Sequence, residues 1–153
     1  MARVLGTETE YGISTPTSPE FSPIVTSTHA VVAYAALHTL ARSRWDFREE
    51  HPLRDSRGFD LKRYQTVPVV DPNAIGVANV VTANGARFYV DHAHPEYSSP
   101  ECTNAWDAML YDAAGDVVLR QAAEAVARLS AQGTSVLANH DPCPPLKFYK
   151  NNV

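Results

Sequence analysis

Asn79-Val80-Val81-Thr82, then Ala83-Asn84-Gly85-Ala86, then Arg87-Phe88-Tyr89-Val90-Asp91 form one continuous stretch, and its reading decides the fold. Two β-rich runs flank an Asn-Gly pair, both of whose residues tolerate positive φ, so the stretch predicts a β-hairpin. On a strand, residues two apart share a face. Arg87, Tyr89 and Asp91 therefore line one side of the second run, while Phe88 and Val90 line the other. The apolar side can pack on a core while a cation, a phenol and a carboxylate line a surface.

Outward from this hairpin the pattern stays mixed. Residues 2–13 alternate and read as a strand, and the Ser-, Thr- and Pro-rich residues 14–27 read as a loop. Ser27 or Thr28 is expected to cap a helix running to about Arg42, with Val31, Ala35, Leu37 and Leu40 on its apolar side. Beyond the hairpin, Pro95 and Pro100 predict a rigid loop. Residues 105 to about 130 form the clearest helix, capped by Thr103 or Asn104. Leu110, Ala113, Val117, Ala122, Val126 and Leu129 recur at helical spacing, Gly115 is a weak interruption and Gly133 ends the helix. Leu146 to Val153 reads as a last strand. Strands and helices mixed along the chain predict an α+β class, as one unit over residues 1–153.

Composition sets limits. The chain has 153 residues, 44% of them hydrophobic, and a net charge of −4, which suffices for a core and excludes a disordered tail, a collagen-like chain or a disulfide scaffold. Mild acidity argues against a general nucleic-acid binder. The apolar run Val31–Leu37 is too short to cross a bilayer, and Glu8 and Glu10 interrupt any leader-like start, so a cytoplasmic protein without a membrane partner is expected. Cys102 and Cys143 fit a reducing compartment, with one optional disulfide left open. A closing strand with nothing after it points to a fragment or one half of a larger fold.

The residues from 42 to 63 differ from the rest. They hold 12 of the 30 charged residues and are net +2 in an acidic chain. Lacking periodicity and leading into Pro68 and Pro72, they predict a long flexible loop over about 42–72. Either it is a solvated insertion or, as Trp45, Phe47, Phe59 and Tyr64 favour, a loop over an active site or against a partner.

The candidate chemistry lies in carboxylates placed by strands. Glu8 and Glu10 share a face, roughly 7 Å apart along a strand, where two ionised groups repel by about 2 kcal/mol at an effective dielectric near 20. Either this is the wet face of an edge strand, or a cation sits beside them, and oxygen-rich sites suit Mg²⁺. After Asp91 come His92-Ala93-His94-Pro95-Glu96-Tyr97-Ser98-Ser99-Pro100-Glu101. The His-x-His pair is a weak zinc signal, and both histidines read better as loop-stabilising groups. Glu96 can be turned back toward the strand face.

Gly6-Thr7-Glu8-Thr9-Glu10-Tyr11-Gly12, Asn84-Gly85-Ala86-Arg87-Phe88-Tyr89-Val90-Asp91 and His94-Pro95-Glu96-Tyr97-Ser98-Ser99-Pro100-Glu101 together resemble the Pup ligase and Pup deamidase/depupylase family. Thr26-Ser27-Thr28, Arg44-Trp45-Asp46, Pro52-Leu53-Arg54-Asp55, Arg57-Gly58-Phe59-Asp60 and Asp91-His92-Ala93-His94 resemble its deamidase/depupylase branch. The resemblance implies the amino-terminal part of a glutamine-synthetase-like carboxylate–amine ligase domain, a mostly antiparallel curved sheet with helices packed on one face, whose concave side holds ATP and Mg²⁺. It implies Glu8, Tyr89 and Glu96 as Mg²⁺ ligands and Glu10 as ligand to a second ion. Gly6, Thr7, Glu8, Thr9, Glu10, Ser98 and Ser99 would contact nucleotide, Arg87 would face phosphates, and Asp91 would be catalytic. The implied partners are Pup, pupylated proteins and the remaining carboxy-terminal part of the enzyme; the arginines of the 42–63 segment would meet acidic Pup. Asp91 would act as nucleophile or as base on water. The alternatives are a Pup ligase, a broader carboxylate–amine ligase, and a non-catalytic module that binds Pup or needs a second chain.

Overall fold

The computed structural model describes residues 3–38 and 78–150. In chain order these form β1 (Glu8–Ser14), α1 (Pro23–Leu37), β2 (Asn79–Val81), β3 (Arg87–Asp91), β4 (His94–Ser98), α2 (Ala105–Ala131) and β5 (Lys147–Lys150). The strands make one five-stranded sheet in the order β2-β3-β4-β1-β5, every neighbouring pair antiparallel. The expected α+β class is the one observed. The charged segment at 42–72 lies outside the described residues, as does Leu40.

The β2–β3 hairpin forms where the Asn-Gly signal places it, by a slightly different route. Thr82 and Ala86 close the loop, the Thr82 N–H donating to the Ala86 carbonyl at 2.8 Å. Gly85 alone takes positive φ, +85°. Asn84 contributes its side chain instead: its amide donates to the Tyr97 hydroxyl at 3.1 Å, and its Oδ1 accepts from the Ala86 N–H at 3.2 Å.

Two expectations are corrected. The segment after Asp91 is not a loop but strand β4, entered through a second tight hairpin in which His92 takes φ +53°. Pro95 is tolerated there because it sits one place beyond Glu10↔Glu96, the last β1–β4 pair, so its missing N–H costs no bond to β1. The first helix begins at Pro23, not after Ser27 or Thr28. Proline suits the first helical position, where an N–H has no intrahelical partner. Ser27 and Thr28 are fully buried inside α1; Thr28 Oγ1 returns a bond to the Ile24 carbonyl at 2.7 Å, and Ser27 Oγ donates to the Ala93 carbonyl at 2.8 Å.

Both helices cover one face of the sheet. The core joins Tyr11, Val80, Phe88, Val90 and Tyr97 of the strands to Val31, Tyr34 and Ala35 of α1 and Val118, Leu119 and Ala122 of α2. Tyr34 meets the Phe88 ring edge-on at 5.6 Å. As expected, Asn104 caps α2, its Oδ1 accepting from the Asp107 N–H at 2.9 Å, and Gly133 follows the helix at φ +64°. The inward side of α2 is not the expected one throughout. Ala122 and Val126 are buried, but Leu110 and Val117 are exposed, while Ala108, Gly115, Val118 and Leu119 face inward. Gly115 lets the helix approach closely: a Cβ there would stand 2.8 Å from Tyr97 Cδ1 and 3.0 Å from the Tyr11 hydroxyl.

Candidate functional site

The register of the three middle strands builds the other face. Glu8 pairs with Ser98, and Ser98 with Arg87; Glu10 pairs with Glu96, Glu96 with Tyr89, and Tyr89 with Asn79; Asp91 pairs with His94. Paired residues project to the same side, so Glu8, Glu10, Arg87, Tyr89, Asp91, Glu96 and Ser98 all stand on the side away from the helices. The alternation legible in β3 thus holds across three strands.

Within this face, oxygens of Glu10, Asp91 and Glu96 lie within 4.8 Å of one another. Glu96 is buried and Glu10 exposed. Beside this group, Glu8 Oε1 accepts from the Tyr89 hydroxyl at 2.5 Å and from Ser98 Oγ at 2.8 Å. Those bonds hold the Glu8 carboxyl below its ordinary range. Burial pushes Glu96 up to about 7; the Tyr89 hydrogen bond opposes this, while the nearby Glu8 and Asp91 carboxylates add to it. Burial and the Glu8 bond both raise the Tyr89 phenol, which stays a neutral donor. Asp91 ends β3 and is engaged by the exposed His92, Nδ1 to Oδ1 at 2.9 Å.

Arg87 is anchored at two points. Its Nε donates to Asn79 Oδ1 at 2.9 Å, and its guanidinium lies 3.8 Å above the centre of the Tyr89 ring. The Asn79 contact was not singled out from sequence; a β2 residue paired with Tyr89 and holding Arg87 becomes visible only once the strands are in register.

The remaining candidates divide. Ser99 Oγ accepts from the Thr7 N–H at 2.8 Å, and the Ser99 N–H donates to the Thr7 carbonyl at 2.8 Å, which ties the Gly6–Thr7 backbone to the exit of β4. A Cβ on Gly6 would contact Ser99 Oγ at 3.5 Å. Thr9 is not brought to the acidic face: alternation turns it inward, where its hydroxyl donates to Asp112 of α2 at 3.1 Å. His94 and His92 do not converge with a third ligand of metal-binding type among the described residues.

The donor set decides which cation the face suits. Carboxylate oxygens from three strands, gathered within 4.8 Å, are hard donors of the kind that suit a divalent ion such as Mg²⁺ and not a soft one. Among the described residues no helix is long and apolar enough to cross a membrane.

Comparison with known proteins identifies the family to which this fold belongs. The family model described as Pup-ligase protein matches residues 3–153. A Pup deamidase/depupylase from Mycolicibacterium smegmatis is 51% identical over 157 residues, covering 100% of this chain and 29% of the relative. A depupylase from Acidothermus cellulolyticus is 46% identical, again over 100% of this chain and 29% of its own length. A Pup–protein ligase from Corynebacterium diphtheriae is 42% identical, but over 61% of this chain. The crystal structure of the complex between Prokaryotic Ubiquitin-like Protein Pup and its Ligase PafA has the same fold over 99% of this chain and 22% of the matched one, with a TM-score of 0.57 and 20% identity. The chain therefore spans under a third of the length of the curated relatives it matches, and it belongs to the Pup-ligase protein family.

Proposed function

We propose that this chain supplies the amino-terminal wall of an ATP- and Mg²⁺-dependent site that deamidates the carboxy-terminal glutamine of Pup and cleaves Pup–lysine isopeptide bonds. The observation that carries this reading is the convergence of Glu10, Asp91 and Glu96 on the open face, in a chain 51% identical throughout to a Pup deamidase/depupylase. The ligase reading is weaker because resemblance to a Pup–protein ligase extends over 61% of the chain.

Glu8, Glu10, Tyr89 and Glu96 would hold the metal ions, with Asp91 adjoining them. A bound divalent ion would supply charge for nucleotide phosphates and for the carbonyl oxygen of the scissile amide. Glu96, raised toward neutrality by burial, would give up a proton on holding a cation. Tyr89 keeps Glu8 oriented through its phenol. Arg87, fixed by Asn79 and the Tyr89 ring, would offer its guanidinium to phosphate oxygens, and the backbone from Gly6 to Glu10 with Ser98 and Ser99 would contact the nucleotide. Thr9 would take part through its backbone, since its hydroxyl is engaged with Asp112.

Asp91 would act on the amide carbon directly or take the proton of an attacking water. Its half-exposed position at the end of β3 suits either role. The two free, buried cysteines, Cys102 and Cys143, are in keeping with a cytoplasmic setting.

The test combines this chain with the carboxy-terminal part of the Mycolicibacterium smegmatis relative, Pup ending in glutamine, ATP and Mg²⁺. Mass spectrometry should detect the one-dalton increase of deamidation. Loss of the reaction on omitting Mg²⁺ is expected. Formation of a Pup–lysine conjugate in place of deamidated Pup would establish the ligase reading instead.

A further inference from the structure

Alpha-helix α2 carries an apolar stripe on its outer side. Trp106 is 74% exposed, Met109 66% and Leu110 58%, and exposed Ala113 and Val117 continue the row. The spacing of three and four places them along one side of the helix. Single exposed apolar residues are ordinary, but a row that opens with a tryptophan and a methionine has the composition of an interface centre.

The end of the sheet lies beside this row. Lys150, the last residue of β5, places Nζ 2.7 Å from Asp112 Oδ2 and 3.2 Å from Asp116 Oδ1. Those two aspartates immediately precede Ala113 and Val117 of the stripe. The end of β5 therefore lies beside the flank of α2. In the curated relatives most of the length lies outside the region that this chain matches.

We propose that the stripe Trp106–Met109–Leu110–Ala113–Val117 is the docking seam for the carboxy-terminal part of the family fold. Charge argues against a second copy of this chain. Across an antiparallel two-fold contact the flank of the stripe that bears Asp112 and Asp116 would meet its own copy, and each flank brings two carboxylates against the one ammonium, that of Lys150, that the described residues pair with them. The seam follows from family membership and stands whatever chemistry the acidic face performs.

The test uses a Trp45→Phe background, in which Trp106 is this chain's only indole, and subtracts the emission of the added partner alone. Mixing the chain with the carboxy-terminal part of the Mycolicibacterium smegmatis relative should shift Trp106 emission to the blue. Trp106→Lys with Met109→Lys should weaken association at least tenfold and leave far-UV circular dichroism unchanged. In a single-chain chimera, with this chain replacing the relative's matched region, hydroxyl-radical labelling of Met109 should fall at least fivefold relative to the isolated chain. Equal labelling of Met109 in chimera and isolated chain would overturn the proposal, as would unchanged binding of the double variant or no association of the unaltered chain. So would concentration-dependent dimerisation of the chain alone that the double variant abolishes, which would assign the stripe to a second copy.

Discussion

The two faces of this sheet are made from the same strands and obey opposite rules. One is packed against helices: Phe88, Tyr97 and Val80 are inaccessible to solvent, and inward polar groups are tied down, Thr9 to Asp112 and Tyr11 to Asp116 of α2 and Tyr97 to Asn84 of the hairpin loop. The other gathers four carboxylates, a phenol and a guanidinium, and accepts a buried Glu96 whose ionisation is opposed by its surroundings. The helix face lowers the free energy of the fold by burying apolar surface. The acidic face gives up stability for a surface that a cation can complete, a conflict expected at functional sites.

The largest effect that would break this contrast is on the chemistry. Asp91→Asn should lower Pup deamidation by about 10²–10⁴-fold while nucleotide binding, measured by calorimetry, persists. Unchanged turnover would return Asp91 to the status of an ordinary surface residue.

Protons should also tell the faces apart. His29 lies inside α1, its Nε2 without a hydrogen-bond partner among the described residues, and burial lowers it to about 4 from 6.5. Its folded value is depressed, so the unfolded chain binds its proton first, and stability falls as pH drops from 6.5 to 4, by up to about 3 kcal/mol. Glu96 is raised from 4.5 to about 7, so its folded form binds the proton first and stability rises as pH falls from 7 to 4.5. Urea melts in chelator should therefore show opposite slopes in two variants: Glu96→Gln leaves the His29 loss, and His29→Leu leaves the Glu96 gain. Parallel slopes would remove the distinction.

Added Mg²⁺ should stabilise the chain by about 2.7 kcal/mol at a hundredfold excess over its dissociation constant, read as a rise in melting temperature. Glu10→Gln should reduce that rise, whereas a change confined to the helix face should leave it intact. On the helix face, Gly115→Ala should cost about 1–3 kcal/mol because its methyl would overlap Tyr97, without altering the Mg²⁺ response. The smallest effect joins the faces. Ser27→Ala removes the bond from α1 to the Ala93 carbonyl in the turn after Asp91, costing about 1 kcal/mol, and should lower turnover more than Mg²⁺ affinity.

How much was legible follows from the range of each interaction. The β2–β3 hairpin and the cap at Asn104 are set by neighbours, and both stood in the sequence. The β3–β4 hairpin did not, because its left-handed residue is His92 and a proline follows closely; strand pairing overrode both signals. Leu110 and Val117 fitted the helical period but point outward, since periodicity locates a stripe without saying which side meets the sheet. Gly115, read as an interruption, is where the helix comes closest.

The sequence by itself determined the class of every element but β4, and which side chains of a strand share a side, because backbone alternation is a local property. It also placed Glu8 and Glu10 together, and Tyr89 with Asp91. Only the tertiary structure decided that β1 lies beside β4, which sets Glu10 opposite Glu96 and near Asp91, brings Tyr89 to Glu8, and turns Thr9 toward α2. Register between strands distant in the chain depends on burying Phe88, Tyr97 and Tyr11 against both helices at once, and no short stretch of residues contains that information.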